Sequence, residues 1–147
     1  MFKLIGIITV VLSSAAYGFY KGAALKFRQK RLLNICLFIE AASVRIRAGE
    51  NMKSIILSAG DKAGLYIDGY RIYAAPDNLK PSDITLAGDF IKGLGMGDTE
   101  AELKRCEVFR DLFTAELKKA DTELKEKGTL YGKLGVFAGL LIGIVLI

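Results

Sequence analysis

Two thiols, three spaced phenols and a run of glycines are the groups in this sequence with chemistry to offer. Cys36 and Cys106 could in principle form a disulfide, ligate a metal or attack an electrophile. Their neighbours argue against all three. The chain of 147 residues has no histidine to act as ligand or base, and the cysteine spacing matches no metal motif. Both fall inside apolar helical patterns, where a free thiol behaves as a small hydrophobe. "GLGMGD", with Gly93, Gly95 and Gly97, has the glycines of a phosphate cradle. It lacks the Gly-Lys-Ser/Thr that must follow and the strand that must precede. No nucleophile elbow and no cluster of metal ligands is present in the sequence, so no catalytic residue, cofactor or metal is expected and the chain reads as a non-enzyme. Tyr66, Tyr70 and Tyr73 would share one face of a helix over 61–75. That face is a candidate partner surface; the plainer reading is a short amphipathic helix packed on its neighbours. Gly132, Gly135, Gly139 and Gly143 offer a different chemistry, close backbone contact. Gly135, Gly139 and Gly143 repeat on every fourth position, with Gly132 one turn before on roughly the same side. This stacks small residues along one helix face, the pattern by which helices grip each other in lipid.

The elements that position these groups follow from where charge is absent. Residues 1–20 hold one charge, Lys3, and residues 134–147 hold none. All other charge lies between Lys21 and Lys133, although the chain is 52% hydrophobic overall. Leu4 to Tyr20 as a helix would be about 26 Å long, close to a hydrocarbon core of about 30 Å. Leu130 to Ile147 would be roughly 27 Å, with Tyr131 and Lys133 at the interface, where tyrosine sits well and lysine snorkels. After the first span come Lys21, Lys26, Arg28, Lys30 and Arg31, with no acid until Glu40. Such a basic cluster resists translocation and sets topology. The rival reading of the first span is a cleavable signal peptide, with Ser13-Ser14-Ala15-Ala16 as its small residues. The retained anchor is preferred because of the basic cluster. The net charge of +5 is explained by that position beside the membrane, and nucleic acid is not an expected partner.

Helical spacing dominates the middle. Leu25, Leu32, Cys36, Ile39 and Ser43 mark one helix continuing out of the first span, with Leu33, Leu37 and Ala42 widening its stripe. Gly49 is its natural stop, Asn51 the cap of a next helix ending at Gly60. Pro81-Ser82-Asp83 opens another, through Leu86, Phe90, Ile91 and Leu94. Thr99-x-x-Glu102 reads as a capping box at the start of the longest helix, whose stripe runs Leu103, Cys106, Phe109, Phe113, Leu117, Ala120 and Leu124. Glu100–Lys104, Asp121–Lys125 and Glu123–Lys127 pair at i,i+4, so this charge is a solvated face. A pause or bend is expected near Gly128. The fold class read from this is all-α: a small cytoplasmic helical bundle between an N-terminal and a C-terminal transmembrane helix. The domains are 1–20 (first span), 21–129 (cytoplasmic helices) and 130–147 (second span), and both termini lie on the far side of the membrane.

The opening "KLIGIITVVLSSAAYGFY", the mid-chain "LNICLFIEAASVRIRAGENMKSII", "FIKGLGMGDTEAELK" and the closing "LYGKLGVFAGLLIGIVLI" together resemble the stage III sporulation protein AB family of endospore-forming Firmicutes. The resemblance covers nearly the full length, shortened in the Asp61–Pro81 region. One departure stands out: glutamine is expected in the helix after the Leu-Gly loop, where this chain has Glu102 nearby, and no polar contact is assigned there. The resemblance implies a cytoplasmic domain similar to the F proteins of type II secretion systems, which are inner-membrane platforms. It implies as partner the stage III AA-type ATPase, with other membrane proteins of the same complex. The apolar spans themselves point to the lipid bilayer, and the glycine face could meet the first span, another copy of the chain or another membrane protein. The membrane implied is the mother-cell membrane around the forespore. The expected function is a structural platform of a sporulation secretion or feeding complex. A holin-like or channel-forming membrane protein, and an adaptor anchored by its tail after signal-peptide cleavage, are the alternatives left open.

Overall fold

A computed structural model describes residues 2–68, 71–75 and 78–145. Helix α1 spans Phe2–Arg47, α2 Met52–Ala63, α3 Pro81–Gly93 and α4 Thr99–Glu123; a π-helical turn, Leu124–Gly128, leads into α5, Thr129–Val145. Strands β1, Tyr66–Asp68, and β2, Arg71–Ala74, form a two-stranded antiparallel sheet. The chain divides into two compact units, one made of Met1–Phe27 with Ala120–Ile147 and one of Arg28–Lys119.

The fold is mostly helical rather than all-α. Within 61–75 the expected helix is replaced by the end of α2 and the β1–β2 hairpin, in which Ile67 pairs with Ile72 and Asp68 with Arg71. Gly64, at φ +68, is the physical reason. A residue in the left-handed region ends a helix, and glycine enters it without a Cβ penalty. The stop is therefore Gly64 and not Gly60.

In the Arg28–Lys119 unit, α1 buries Leu32, Ile35, Cys36, Phe38, Ile39 and Ala42. Leu33 and Leu37, read as widening that stripe, are exposed. From α3 come Phe90 and Ile91, and from α4 Cys106 and Phe113, all 2% exposed or less. The Phe90 ring meets Phe38 edge-on at 6.4 Å and Phe109 at 5.2 Å between centroids, separations at which aromatic pairs add to plain burial. Gly49, at φ +75, closes α1: Gly49 N donates to Ile46 O and Glu50 N to Arg45 O, the two bonds of a Schellman ending. The Asn51 side chain caps α2 by accepting from Lys53 N at 2.9 Å. At α4 the cap is Asp98, whose Oδ1 accepts from Ala101 N at 2.8 Å. Thr99 lies one place inside the helix, so the Thr99–Glu102 capping box does not form.

The other unit is a helix pair. Its outward side chains are apolar and uncovered: Ile5, Ile8 and Leu12 on α1, and Leu134, Phe137 and Leu141 on α5, are among those at least half exposed. Thr9 Oγ1 donates to Ile5 O at 2.9 Å and Ser13 Oγ to Thr9 O at 2.8 Å. The hydroxyls are thus satisfied within their own helix. One helix among the described residues, Ile5–Arg47, is long and apolar enough to cross a membrane. The expected C-terminal span is represented by α5, which has 17 described residues, about 25 Å of helix, and does not meet that criterion. Its start is displaced by the π-helical turn, where the sequence anticipated a bend at Gly128.

Candidate functional site

Three groups of residues repay attention: a buried ion cluster, a pinned glycine loop and the contact face of the helix pair.

Arg28 belongs to the basic cluster read as setting topology, yet it is 3% exposed. Its Nε donates to Asp83 Oδ2 at 2.8 Å and its Nη2 to Asp83 Oδ1 at 3.0 Å, a two-pronged pairing with a carboxylate that is itself 0% exposed. Nη2 also reaches Glu116 Oε2 at 3.3 Å. Asp83, at the first turn of α3, accepts in addition from Lys80 N at 3.0 Å. One cluster therefore ties α1, α3 and α4. The other members of the cluster are placed differently. Lys21 lies 5.7 Å from the Tyr17 ring centre, within cation–π range; Lys26 and Lys30 are exposed, and the Arg31 guanidinium lies where a methyl on Gly64 would be.

Glu102 is 2% exposed. Its Oε1 accepts from Gly95 N and Gly97 N, both at 3.0 Å, so a single carboxylate oxygen pins the loop between α3 and α4. Oε2 is buried without a hydrogen-bond partner among the described residues. The pinned loop presents Met96, 83% exposed. Sequence reasoning missed this because Glu102 fits a helix-capping pattern equally well; the signal was three glycines in five residues with a carboxylate within one helical turn.

On the helix pair, Gly135 and Gly139 lie against the α1 backbone. A Cβ at Gly135 would sit 2.7 Å from Ser14 O, and one at Gly139 would sit 2.9 Å from Val11 Cα. On α1, a Cβ on Gly18 would overlap Tyr131 O. Ser14 Oγ donates to Gly135 O at 2.7 Å. Gly132 has more room, with Phe19 Cε1 at 3.9 Å, and the surroundings of Gly143 lie outside the described residues. The three tyrosines do not share a helix face. Tyr66 is on β1 and 73% exposed, Tyr73 is in β2 with its side chain outside the described part, and Tyr70 lies outside the described residues.

The thiols occupy core positions. Burial, with the Glu102 carboxylate adding to it, pushes the Cys106 thiol up to about 11. Reagents attack the thiolate, so at pH 7.5 neither Cys36 nor Cys106 should react with a soluble maleimide in the native chain, and both should react in urea. The shift also fixes a sign. The fold favours the neutral thiol, so the associated stability is intact below the ordinary thiol range and is lost as pH rises through about 11. Rapid labelling of Cys106 at pH 7.5 without denaturant would contradict this packing.

The model of stage III sporulation protein AB matches residues 70–147, a stretch that holds β2, α3, the pinned loop, α4 and α5. The chain belongs to the stage III sporulation protein AB family. Membership gives it a role in stage III of sporulation. The match includes "FIKGLGMGDTEAELK" and the closing apolar segment but not the opening one, so it is narrower than the near-full-length resemblance. No curated protein and no solved structure matches the chain.

Proposed function

We propose that this family member is a membrane-anchored structural platform of the sporulation apparatus. The α1–α5 helix pair is embedded in the mother-cell membrane around the forespore, as an N-terminal and a C-terminal span. The Arg28–Lys119 unit stands in the mother-cell cytoplasm, and both termini lie on the opposite side. There the unit docks the stage III AA-type secretion ATPase and links it to other membrane proteins of the complex. The observation that carries this reading is the uncovered apolar surface of the helix pair. Soluble proteins keep such patches to a few hundred Å², whereas here both helices expose large aliphatic and aromatic side chains along their length. The basic residues Lys21, Lys26 and Lys30 beyond the first apolar run support a cytoplasmic middle. The role is structural: the polar clusters in the Arg28–Lys119 unit are internal ties between helices rather than groups aimed at a substrate.

A reporter thiol tests the topology and then the docking. Ser82 is exposed at the start of α3, and the buried native thiols need not be removed. Ser82→Cys expressed in vegetative cells, where the far face of the membrane is open to the medium, should resist an impermeant maleimide and label only after lysis. Full-length chain solubilised from sporulating cells should then co-purify the ATPase. Labelling before lysis would reverse the topology and end the docking reading; labelling after lysis with no ATPase recovered would leave the anchor and remove the motor.

A further inference from the structure

The helix pair carries a groove of about 890 Å³ beside the π-helical turn, within the size range of small-molecule sites. Its origin is local. The π-helical turn lies beside it; Gly22 packs close to the Gly128 carbonyl, where a Cβ would be 3.3 Å away, and Gly132 brings no side chain to the floor. The groove is polarised along its length. Phe19, Val136 and Phe137 line one end; Lys26 and Lys125 line the other, with Lys133 between them. The helices run antiparallel, with Gly22 against Gly128 and Gly139 against Val11. Lys26 is therefore level with the residues just before Gly128, and Phe137 lies at the opposite end. From Lys125 to Phe137 is roughly 18 Å of helix. Lys125 is offset by Asp121, 2.7 Å away, while Lys26 and Lys133 are exposed and have no ion pair among the described residues.

We propose that this groove binds one anionic phospholipid. Its phosphate sits at the Lys26 and Lys125 end, Lys133 lies part-way along beside the glycerol-ester region, and an acyl chain runs toward Phe19, Val136 and Phe137. The occupant is chosen by the gradient: two ammonium groups at one end, a third part-way along, and an aromatic, aliphatic floor at the other end match a molecule whose charge and hydrocarbon are joined end to end. The apolar end segments of a second copy would fit the floor but, holding no Asp or Glu, would bring no negative charge to the lysines. Basic pockets between membrane helices on the cytoplasmic side have the chemistry to hold acidic headgroups. The inference rests on the membrane-anchored reading above. It adds that lipid is a specific component of the platform, seated where the helices leave the bilayer.

The test uses full-length chain in nanodiscs of phosphatidylcholine with increasing phosphatidylglycerol, read by native mass spectrometry after gentle release. The wild type should retain one phosphatidylglycerol in preference to phosphatidylcholine. Lys26→Gln with Lys133→Gln should lower that preference at least several-fold. Gly132→Leu, which fills the floor and leaves every charge in place, should lower retention of either lipid. Carbonate extraction of the same variants from cell membranes separates the two readings. A chain that stays in the membrane but shows no preference for phosphatidylglycerol overturns the lipid site alone. A chain washed out by carbonate overturns the anchor and the site with it. Displacement of lipid by millimolar inorganic phosphate, or cross-linking of groove residues between two copies, would overturn the proposal in favour of a free-phosphate site or a helix interface.

Discussion

Replacing Arg28 with methionine should destabilise the Arg28–Lys119 unit by about 3–5 kcal/mol, the cost of stranding one partner of a buried ion pair. The reason lies in what is left behind. Asp83 is wholly buried and takes two bonds from Arg28 and one from the Lys80 amide. Without the guanidinium, a buried carboxylate loses its charged partner and two of its donors. Asp83→Leu alone should cost a similar amount, because Arg28 then loses its two-pronged carboxylate partner while its charge stays buried, with Glu116 at 3.3 Å. The two changes together should cost clearly less than their sum, since an apolar pair of similar volume replaces a charged one without leaving either charge unpaired. The buried thiols supply the readout: the urea concentration at which Cys36 and Cys106 become reactive reports unfolding of this unit. If Arg28→Met shifts that midpoint by less than the equivalent of about 1 kcal/mol, the cluster is a surface feature and the burial assigned to Arg28 is wrong.

Arg28 also illustrates what the sequence could carry. Read in order, "KFRQKR" is a basic run beside an apolar span, and interface charge explains it completely. Read in helical phase, Arg28 stands one turn before Leu32 and continues the stripe through Cys36 and Ile39, which the structure buries. A charge on a core stripe announces a buried partner, but nothing local says which acid. Asp83 had its own sufficient explanation as a first-turn carboxylate after Pro81. Long-range pairing of this kind depends on helix packing, and one sequence does not contain it. By contrast, periodicity placed α4 and its stripe well: Cys106, Phe113 and Ala120 are buried, and Leu103, Phe109, Leu117 and Leu124 are half-buried. The endings of α1 and the cap of α2 were legible because Gly49 and Asn51 act on their immediate neighbours.

The hairpin failed for the opposite reason. Its strands have 3 and 4 residues, too short for alternation to stand out, and the tyrosine spacing imitated a helix. Gly69 between two isoleucine–tyrosine stretches was the available signal, since glycine in a two-residue connection favours a tight hairpin turn. At the candidate site, the glycine spacing identified a helix face but not its depth. Which glycines touch depends on where α1 crosses, and the less regular small residues of the first apolar run, Ser14 and Gly18, turned out to be the partners of Gly135.

Substituting alanine at these glycines should have opposite signs at different positions. Alanine normally stabilises a helix relative to glycine, by about 1 kcal/mol. Gly132→Ala should follow that rule, because the new methyl would meet only Phe19 Cε1, at 3.9 Å. Gly6→Ala should also follow it, with nothing within 4 Å. At Gly135 the same methyl would lie 2.7 Å from a carbonyl oxygen, Ser14 O, and 3.4 Å from Gly18 Cα; at Gly139 it would lie 2.9 Å from Val11 Cα. These neighbours are backbone and cannot rotate away, so the helices must separate, lengthening the Ser14–Gly135 hydrogen bond and loosening packing on both sides. Overpacking of this sort costs about 1–3 kcal/mol, which outweighs the propensity gain. Gly135→Ala and Gly139→Ala should therefore lower the melting temperature of the full chain in mild detergent, while Gly132→Ala and Gly6→Ala leave it level or raise it. Combining Gly135→Ala with Gly139→Ala should deepen the loss, because both act on one interface. Leucine at 135 should be worse than alanine, whereas on a lipid-facing position it would be harmless. Equal, small effects at all four glycines would mean that α5 does not grip α1 through this face and that the glycines merely reflect the composition of membrane helices. A split by sign would identify the gripping face and leave Gly132 to the groove.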